Sequence, residues 1–585
     1  MWQFVKYVFA TIVGLFIFSV LGFFLFIGIA SMLGSSEDKA SIDKNSVLKL
    51  DLNNPIQEIA VENPFAEFSG GQGNVLGLND IKSALANAKL DPNIKGVYLD
   101  VQYPSVGWAT AEEVRDAIVD FKKSKKFVYA YGEVMTEKAY YLASVADKIY
   151  LNPAGGMEWN GLSAEYDFYK GTLDKLEIKP LVFRVGEYKS AVEPFFRENM
   201  SDANKLQNQV LINNIFDHAV ENISKSRNIP VTKLKNLADS LLIDAPQDAL
   251  KYKLVSHVGY YDEVETALRK ELSIKEDDKI KFVGLSKYAK AEKQVKEGPS
   301  DSRIAVIVGE GAIYSGKSGD GNIGSETIAE ELRKARKDKK VKAVVLRINS
   351  PGGSALASDV MWREIQLTRK VKPVIASMSD VAASGGYYMA MGCDKIVAQP
   401  NTITGSIGVF SVLFNFENTF KNKLGITFDR VNTNTHADWP SVTRDMTPFE
   451  NDRLQKSTEN IYATFTRKAA EGRKMPLAKL QSLASGRVWS GREAKANGLI
   501  DEFGGLDKAI QVAAQAAKLK EGEYRVKFPA QKNVFEQFMN KITGDAEEQM
   551  LQKQLGDFAP YLKTLKKLQQ MEGTQARMPF DINIK

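Results

Sequence analysis

The stretch Val381-Ala-Ala-Ser-Gly-Gly-Tyr-Tyr388 puts a serine where it could do chemistry. A buried-strand run, Pro373 to Met378, precedes it, and a helix-compatible run follows through Met391. A serine at such a strand-to-helix turn can expose its hydroxyl. The following backbone N–H, that of Gly385, is then free to meet developing negative charge. The plain alternative is a tight packing turn of Ala, Ser and Gly. A nucleophilic serine needs a base. The three histidines, His218, His257 and His436, are scattered and show no common spacing; His436 is the only one in the second half of the chain. A lysine can serve instead if burial lowers its pKa from about 10.4 toward neutrality.

The elements that would position this serine are written twice. Residues 46–270 and 302–510 read as one unit repeated, which is a duplication rather than a short-period solenoid. With a constant shift, Lys95 falls on Lys342, Val97 on Val344, Pro104 on Pro351 and Tyr140-Tyr141 on Tyr387-Tyr388. Asp147-Lys-Ile149 falls likewise on Asp394-Lys-Ile396. In the second unit, strands are expected at Ile304–Val308, Ala343–Ile348, Val374–Met378 and Ile396–Ala398. Helices are expected at Glu326–Lys337, Ala355–Lys370 and Gly385–Met391. Continuous Val/Ile strands alternating with amphipathic helices indicate an α/β fold of tandem βα units on largely parallel sheets.

The repeat serves as an internal control. Ser384-Gly385-Gly386 faces Glu137-Lys138-Ala139, and Pro351-Gly352-Gly353-Ser354 faces Pro104-Ser105-Val106-Gly107. Only the second half keeps the serine and the glycine pair. Gly352 and Gly353 are expected to end a strand and open the helix from Ala355, where backbone N–H groups can bind an oxyanion. Lys189, in Glu187-Tyr-Lys-Ser-Ala-Val-Glu-Pro194, falls on Thr435. One half has a lysine without the serine, and the other a serine without the lysine. The residues alone leave two readings of Lys189: half of a composite site, or a solvated surface lysine.

Other features narrow the class. A net charge of +6 over 585 residues, with no basic stripe, does not point to nucleic acid. The single cysteine, Cys393, excludes an intramolecular disulfide and a Cys-rich metal site. Gly311-Ala-Ile-Tyr-Ser-Gly-Lys-Ser318 fits the phosphate-loop pattern, but Gly- and Asp-rich residues follow where a helix must start, so no nucleotide is expected. Tyr7 to Leu33 is uncharged and long enough to span a bilayer, too long for a cleavable signal. Lys6 precedes it and Glu37 and Asp38 follow, so the large domain is expected outside the cytoplasm.

The motifs Arg347-Ile-Asn-Ser-Pro-Gly-Gly-Ser354, Ala382-Ala-Ser-Gly-Gly-Tyr387, Thr404-Gly-Ser-Ile-Gly408, Glu187 to Pro194 and Gly486-Arg-Val-Trp-Ser-Gly491 stand in order over about residues 46–515. Together they resemble the long, duplicated form of the signal peptide peptidase SppA (protease IV) family. The resemblance implies a Clp-protease/crotonase-like fold behind one transmembrane helix. It implies Ser384 as nucleophile, Lys189 as general base, and an oxyanion hole at Gly352, Gly353 and Gly385. It places Gly405, Ser406, Ile407 and Gly408 near the substrate pocket, with Ser406 structural. It also implies hydrophobic peptide substrates, chiefly remnant signal peptides, contact with membrane lipid, a homotetramer, and no metal or cofactor. Asp380 stands where a smaller residue is expected.

On this reading residues 1–6 are cytoplasmic, 7–33 the anchor, 46–285 and 303–515 the two repeats, 286–302 a helical connector and 516–585 a helical extension. The catalytic side would be periplasmic, on a bacterial inner membrane. The competing readings are a crotonase-like acyl-transfer enzyme and a catalytically decayed membrane scaffold.

Overall fold

A computed structural model describes residues 2–34, 40–60, 75–291, 293–295, 301–319, 321–529 and 574–578. The first half builds a six-stranded parallel sheet. Its order is His257–Val258, Lys148–Met157, Phe127–Met135, Ile94–Asp100, Ser46–Asp51 and Lys281–Gly284. The second half repeats that order with Glu502–Phe503, Lys395–Ala398, Val374–Ala383, Val341–Ser350, Arg303–Glu310 and Arg525–Lys527. Strands Ile403–Gly405 and Val488–Ser490 extend this second sheet. The duplication seen in the sequence is therefore a duplication of sheet order.

Local chemistry explains the elements. Strand Val341–Ser350 is buried on both faces and is correspondingly rich in Val, Leu and Ile. Each half carries a 26-residue helix at the matching place, Asp202–Arg227 and Pro448–Arg473. Ser201 caps the first and Thr447 the second. Each ends on a left-handed residue, Asn228 and Lys474. The expected second-half helices form at Ser325–Lys337, Ala355–Arg369 and Gly385–Ala390.

Two buried polar clusters join the halves. Arg347 pairs with Glu58 at 2.8 Å and with Glu113 at 2.7 Å. Glu113 also meets Lys82 at 2.8 Å and accepts from Leu506 N. Burial alone would raise the Glu113 carboxyl, but Arg347 and Lys82 pull it down to about 2. Asp380 is half-buried and accepts from the N–H and hydroxyl of Thr110, at 2.8 and 2.6 Å. The residue that looked oversized in the serine motif is an inter-half tie.

A third sheet crosses between the halves and frames the site. Its order is Asn322–Gly324, Ala312–Tyr314, Gly352–Ser354, Thr574–Arg577, Val409–Asn415 and Lys179–Val185. The last two strands come from different halves and pair antiparallel over seven residues, Val409 opposite Val185 through Asn415 opposite Lys179.

Several expectations need correction. Among the described residues of the connector 286–302, only those within Leu285–Ala289 are helical, and Ala291 then bridges to Ala40. Of the extension expected to be helical, Arg525–Lys527 and Thr574–Arg577 are strands. Its expected helical stretches, 535–551 and 558–571, lie outside the described residues. The apolar N-terminal helix runs Trp2–Gly34, and Trp2–Phe24 is apolar enough to span a bilayer, with no part of that span packed against the rest of the protein. After Lys317 the described residues form no helix until Ser325, with strand Asn322–Gly324 in between, so the phosphate-loop pattern lacks its helix.

Candidate active site

Ser384 ends strand Val374–Ala383 and caps helix Gly385–Ala390. Its backbone is forced to φ +54°, ψ −110°, a strained turn that side-chain-bearing residues rarely adopt. Ser384 N–H donates to Gly405 O at 2.8 Å, which pins the turn against the neighbouring strand.

Lys189 follows strand Lys179–Val185 by four residues. The inter-half pairing of that strand carries the lysine into the second half. Its Nζ lies 3.0 Å from Ser384 Oγ, within reach for direct proton transfer. The ammonium end also meets Ser406 Oγ at 2.9 Å and Ser406 O at 3.1 Å. Lys189 is fully buried, and no described hydrogen bond or ion pair joins it to a carboxylate. Burial therefore holds its pKa well below the usual lysine value.

The lysine loop is tied down on both sides. Gln207 Nε2 donates to Tyr188 O and Ser190 Oγ, at 3.1 and 2.7 Å, while its oxygen accepts from Val488 N. Ser190 Oγ donates to Asn204 at 2.9 Å. Gly486, at φ +79°, packs its Cα against the Lys189 backbone; a Cβ there would come within 2.7 Å of it. Sequence reasoning did not assign roles to Gln207, Asn204 or Gly486. The only available signal was Gly486 at the head of a matching motif.

Further expectations change. Gly352 and Gly353 do not open the helix; they lie in strand Gly352–Ser354, and the helix from Ala355 is capped by Ser354 instead. Gly352 N–H donates to Ser350 Oγ at 3.1 Å, so it is already engaged. Gly353 stands opposite Ile313 on one side and Ala576 on the other, and Gly385 is the first residue of the helix after Ser384. The loop Gly405–Gly408 wraps the Ser/Lys pair. Ser406, at φ +49°, turns its hydroxyl onto Lys189, and Gly408 O lies 3.4 Å from Ser384 Oγ. Ile407 is fully buried in the second-half core.

The histidines sit elsewhere. His436 pairs with Glu450, His218 with Glu112, and His257 stacks on Tyr150. A serine hydroxyl within hydrogen-bond reach of a buried amine is an arrangement suited to acyl transfer.

The sequence profile described as peptidase family S49 matches residues 120–275 and 366–520, once in each half. The chain belongs to peptidase family S49. The S49 match is accompanied by likeness along most of the chain. "Protease 4" of Salmonella typhi is 37% identical over 479 residues, covering 80% of this chain and 76% of that one. "Protease 4" of Haemophilus influenzae is 37% identical over 507 residues, covering 84% and 82%. "Serine protease SPPA, chloroplastic" of Arabidopsis thaliana is 37% identical over 485 residues, covering 82% and 70%. Two S49 units in one chain, preceded by an apolar helix, make this the long, duplicated SppA form, and a serine-type peptidase.

Proposed function

We propose that this S49 peptidase is a membrane-anchored endopeptidase that cuts hydrophobic peptides, remnant signal peptides among them, with Ser384 as nucleophile and Lys189 as general base. The observation that carries this reading is the 3.0 Å contact between the Ser384 hydroxyl and a lysine that is buried without a carboxylate. Neutral Lys189 takes the proton as Ser384 Oγ attacks the scissile carbonyl carbon. Gly353 and Gly385 face the oxygen that becomes negative. Lys189 then delivers the proton to the leaving amine, and water hydrolyses the acyl-enzyme by the reverse use of the same base. Ser406 orients the lysine amine and hydrogen-bonds the ammonium when it forms.

The apolar helix would hold this site beside the bilayer, where membrane-derived peptides are concentrated. The charge order around that helix supports an extracytoplasmic, periplasmic domain on an inner membrane, and family resemblance supports a homotetramer. A fluorophosphonate probe is the direct test. It should label Ser384 in the native chain, fail on Ser384→Ala, and label Lys189→Ala far more slowly. Equal labelling of native and Lys189→Ala protein would remove the lysine from the mechanism.

A further inference from the structure

An open cavity of about 800 Å³ lies where the first half repeats the serine site. Residues 104–107 and 136–138 on its wall match 351–354 and 383–385 of the second half. In the second half the matching space is taken by a strand paired with Gly352–Ser354. In the first half no described strand pairs with residues 105–107, and the space stays open. The opposite wall comes from the catalytic half, at Val381 and Ile403. Val381 lies on strand Val374–Ala383, close before Ser384 and roughly 10 Å from it along the extended chain.

The wall is acidic. Glu137, Glu158 and Asp380 line it against one cation, Lys138. Lys138 is already engaged, donating to Val106 O at 2.9 Å above the Trp108 ring. Asp380 is held by Thr110. Glu137 is only 7% exposed and accepts from Asn160 N–H at 2.9 Å. Among the described residues neither Glu137 nor Glu158 has an ion-pair partner. Burial raises the Glu137 carboxyl above its ordinary range, and the charge of Glu158 adds to that. A buried carboxylate without a counter-ion is unfavourable, and a cation brought by a ligand would relieve it.

We infer that this cavity is a second, non-cleaving peptide site that binds the basic end of a hydrophobic substrate while the adjoining apolar stretch extends to Ser384. The inference rests on the Ser384/Lys189 reading given above. Glu137 holds the place of Ser384 and Lys138 that of Gly385, so the site binds without cutting. Signal peptides carry such an end, a positively charged run before an apolar run of about 7–15 residues. Three extended residues cover the roughly 10 Å to Ser384, so one peptide can occupy both places. Holding the basic end then raises the effective concentration of the apolar run at the serine.

Steady-state cleavage by the full chain in detergent tests this. Three peptides share one apolar core and differ only in a flanking Lys-Lys, Gln-Gln or Glu-Glu pair. Native protein is expected to show a KM about tenfold lower for the Lys-Lys peptide than for the Gln-Gln one, and highest for Glu-Glu, with the spread shrinking at high salt. The double variant Glu137→Gln, Glu158→Gln keeps an acceptor for Asn160 N–H and should bring the three KM values together. Ser105→Trp, which fills the cavity from an exposed position, should do the same. Equal KM values on native protein that cleaves all three peptides overturn the inference and leave the proposed function standing. A preference for the Lys-Lys peptide that survives either variant overturns it as well, since the basic end is then read elsewhere. A native chain that cleaves none of the peptides and takes no fluorophosphonate brings down both readings.

Discussion

In the proposed mechanism Lys189 must be neutral to accept the serine proton, and its burial sets the pH at which that happens. Activity should be low in acid, where the amine is protonated. It should rise with pH through a pKa displaced below the ordinary 10.5 of lysine. Lys189→Arg should lose roughly 10³-fold or more in kcat/KM, because guanidinium stays protonated at any workable pH. His436→Ala should stay near the native rate, since His436 is engaged with Glu450. A dead His436→Ala beside an active Lys189→Arg, in one peptide-cleavage assay, would reverse the assignment. Gly486→Ala tests the support behind the base. Its methyl would press on the Lys189 backbone and displace the amine, at a cost of about 10²-fold in kcat. Thermal unfolding of that variant should still be cooperative.

At the scale of elements, the base depends on strand Lys179–Val185 and the loop after it. Phe195 packs edge-on against Phe414 at 5.5 Å, in a small cluster with Val192, Phe410 and Val412. Phe195→Ala should cost about 3–5 kcal/mol in urea unfolding. It should also move the activity profile toward higher pH, because a loosened loop admits water to Lys189. An unchanged profile would mean the loop is held by Gln207 and Asn204 alone.

These contacts also explain what could be read from the sequence. The repeat, the βα alternation and the serine turn were legible, because strands and helices carry periodic patterns and the two halves could be compared; the residues left Lys189 open, and only the family resemblance paired it with Ser384. The role of Gly405–Gly408 was not. Its positive-φ turn at Ser406 aims a hydroxyl at a residue more than two hundred positions away. The strand character of Gly352–Ser354 was hidden as well, because its partner strand comes from the far end of the chain. Gly-Gly before a helix reads as a helix start unless that partner is known.

For the molecule as a whole, the seam between the halves is ionic at Arg347 and, on the proposed mechanism, catalytic at Lys189 and Ser384. Arg347→Met would leave Glu58 buried without its cation and Glu113 with Lys82 alone, a loss of about 3–5 kcal/mol at neutral pH. The sign of the pH dependence follows from Glu113. Its folded pKa, about 2, lies below the unfolded 4.5. Its stabilisation is therefore present above about pH 4.5 and lost as pH falls through 2. The difference between native and Arg347→Met stability in urea should shrink over that window. The lysine–serine contact has a genetic consequence. Because the two groups meet inside one polypeptide, mixing a Ser384→Ala allele with a Lys189→Ala allele supplies every functional side chain to the cell, yet assembles no working pair. Co-expressed, the two alleles should fail to complement, however freely their products co-assemble. A lysine lent by a neighbouring chain would instead let the same cross restore a fraction of the sites.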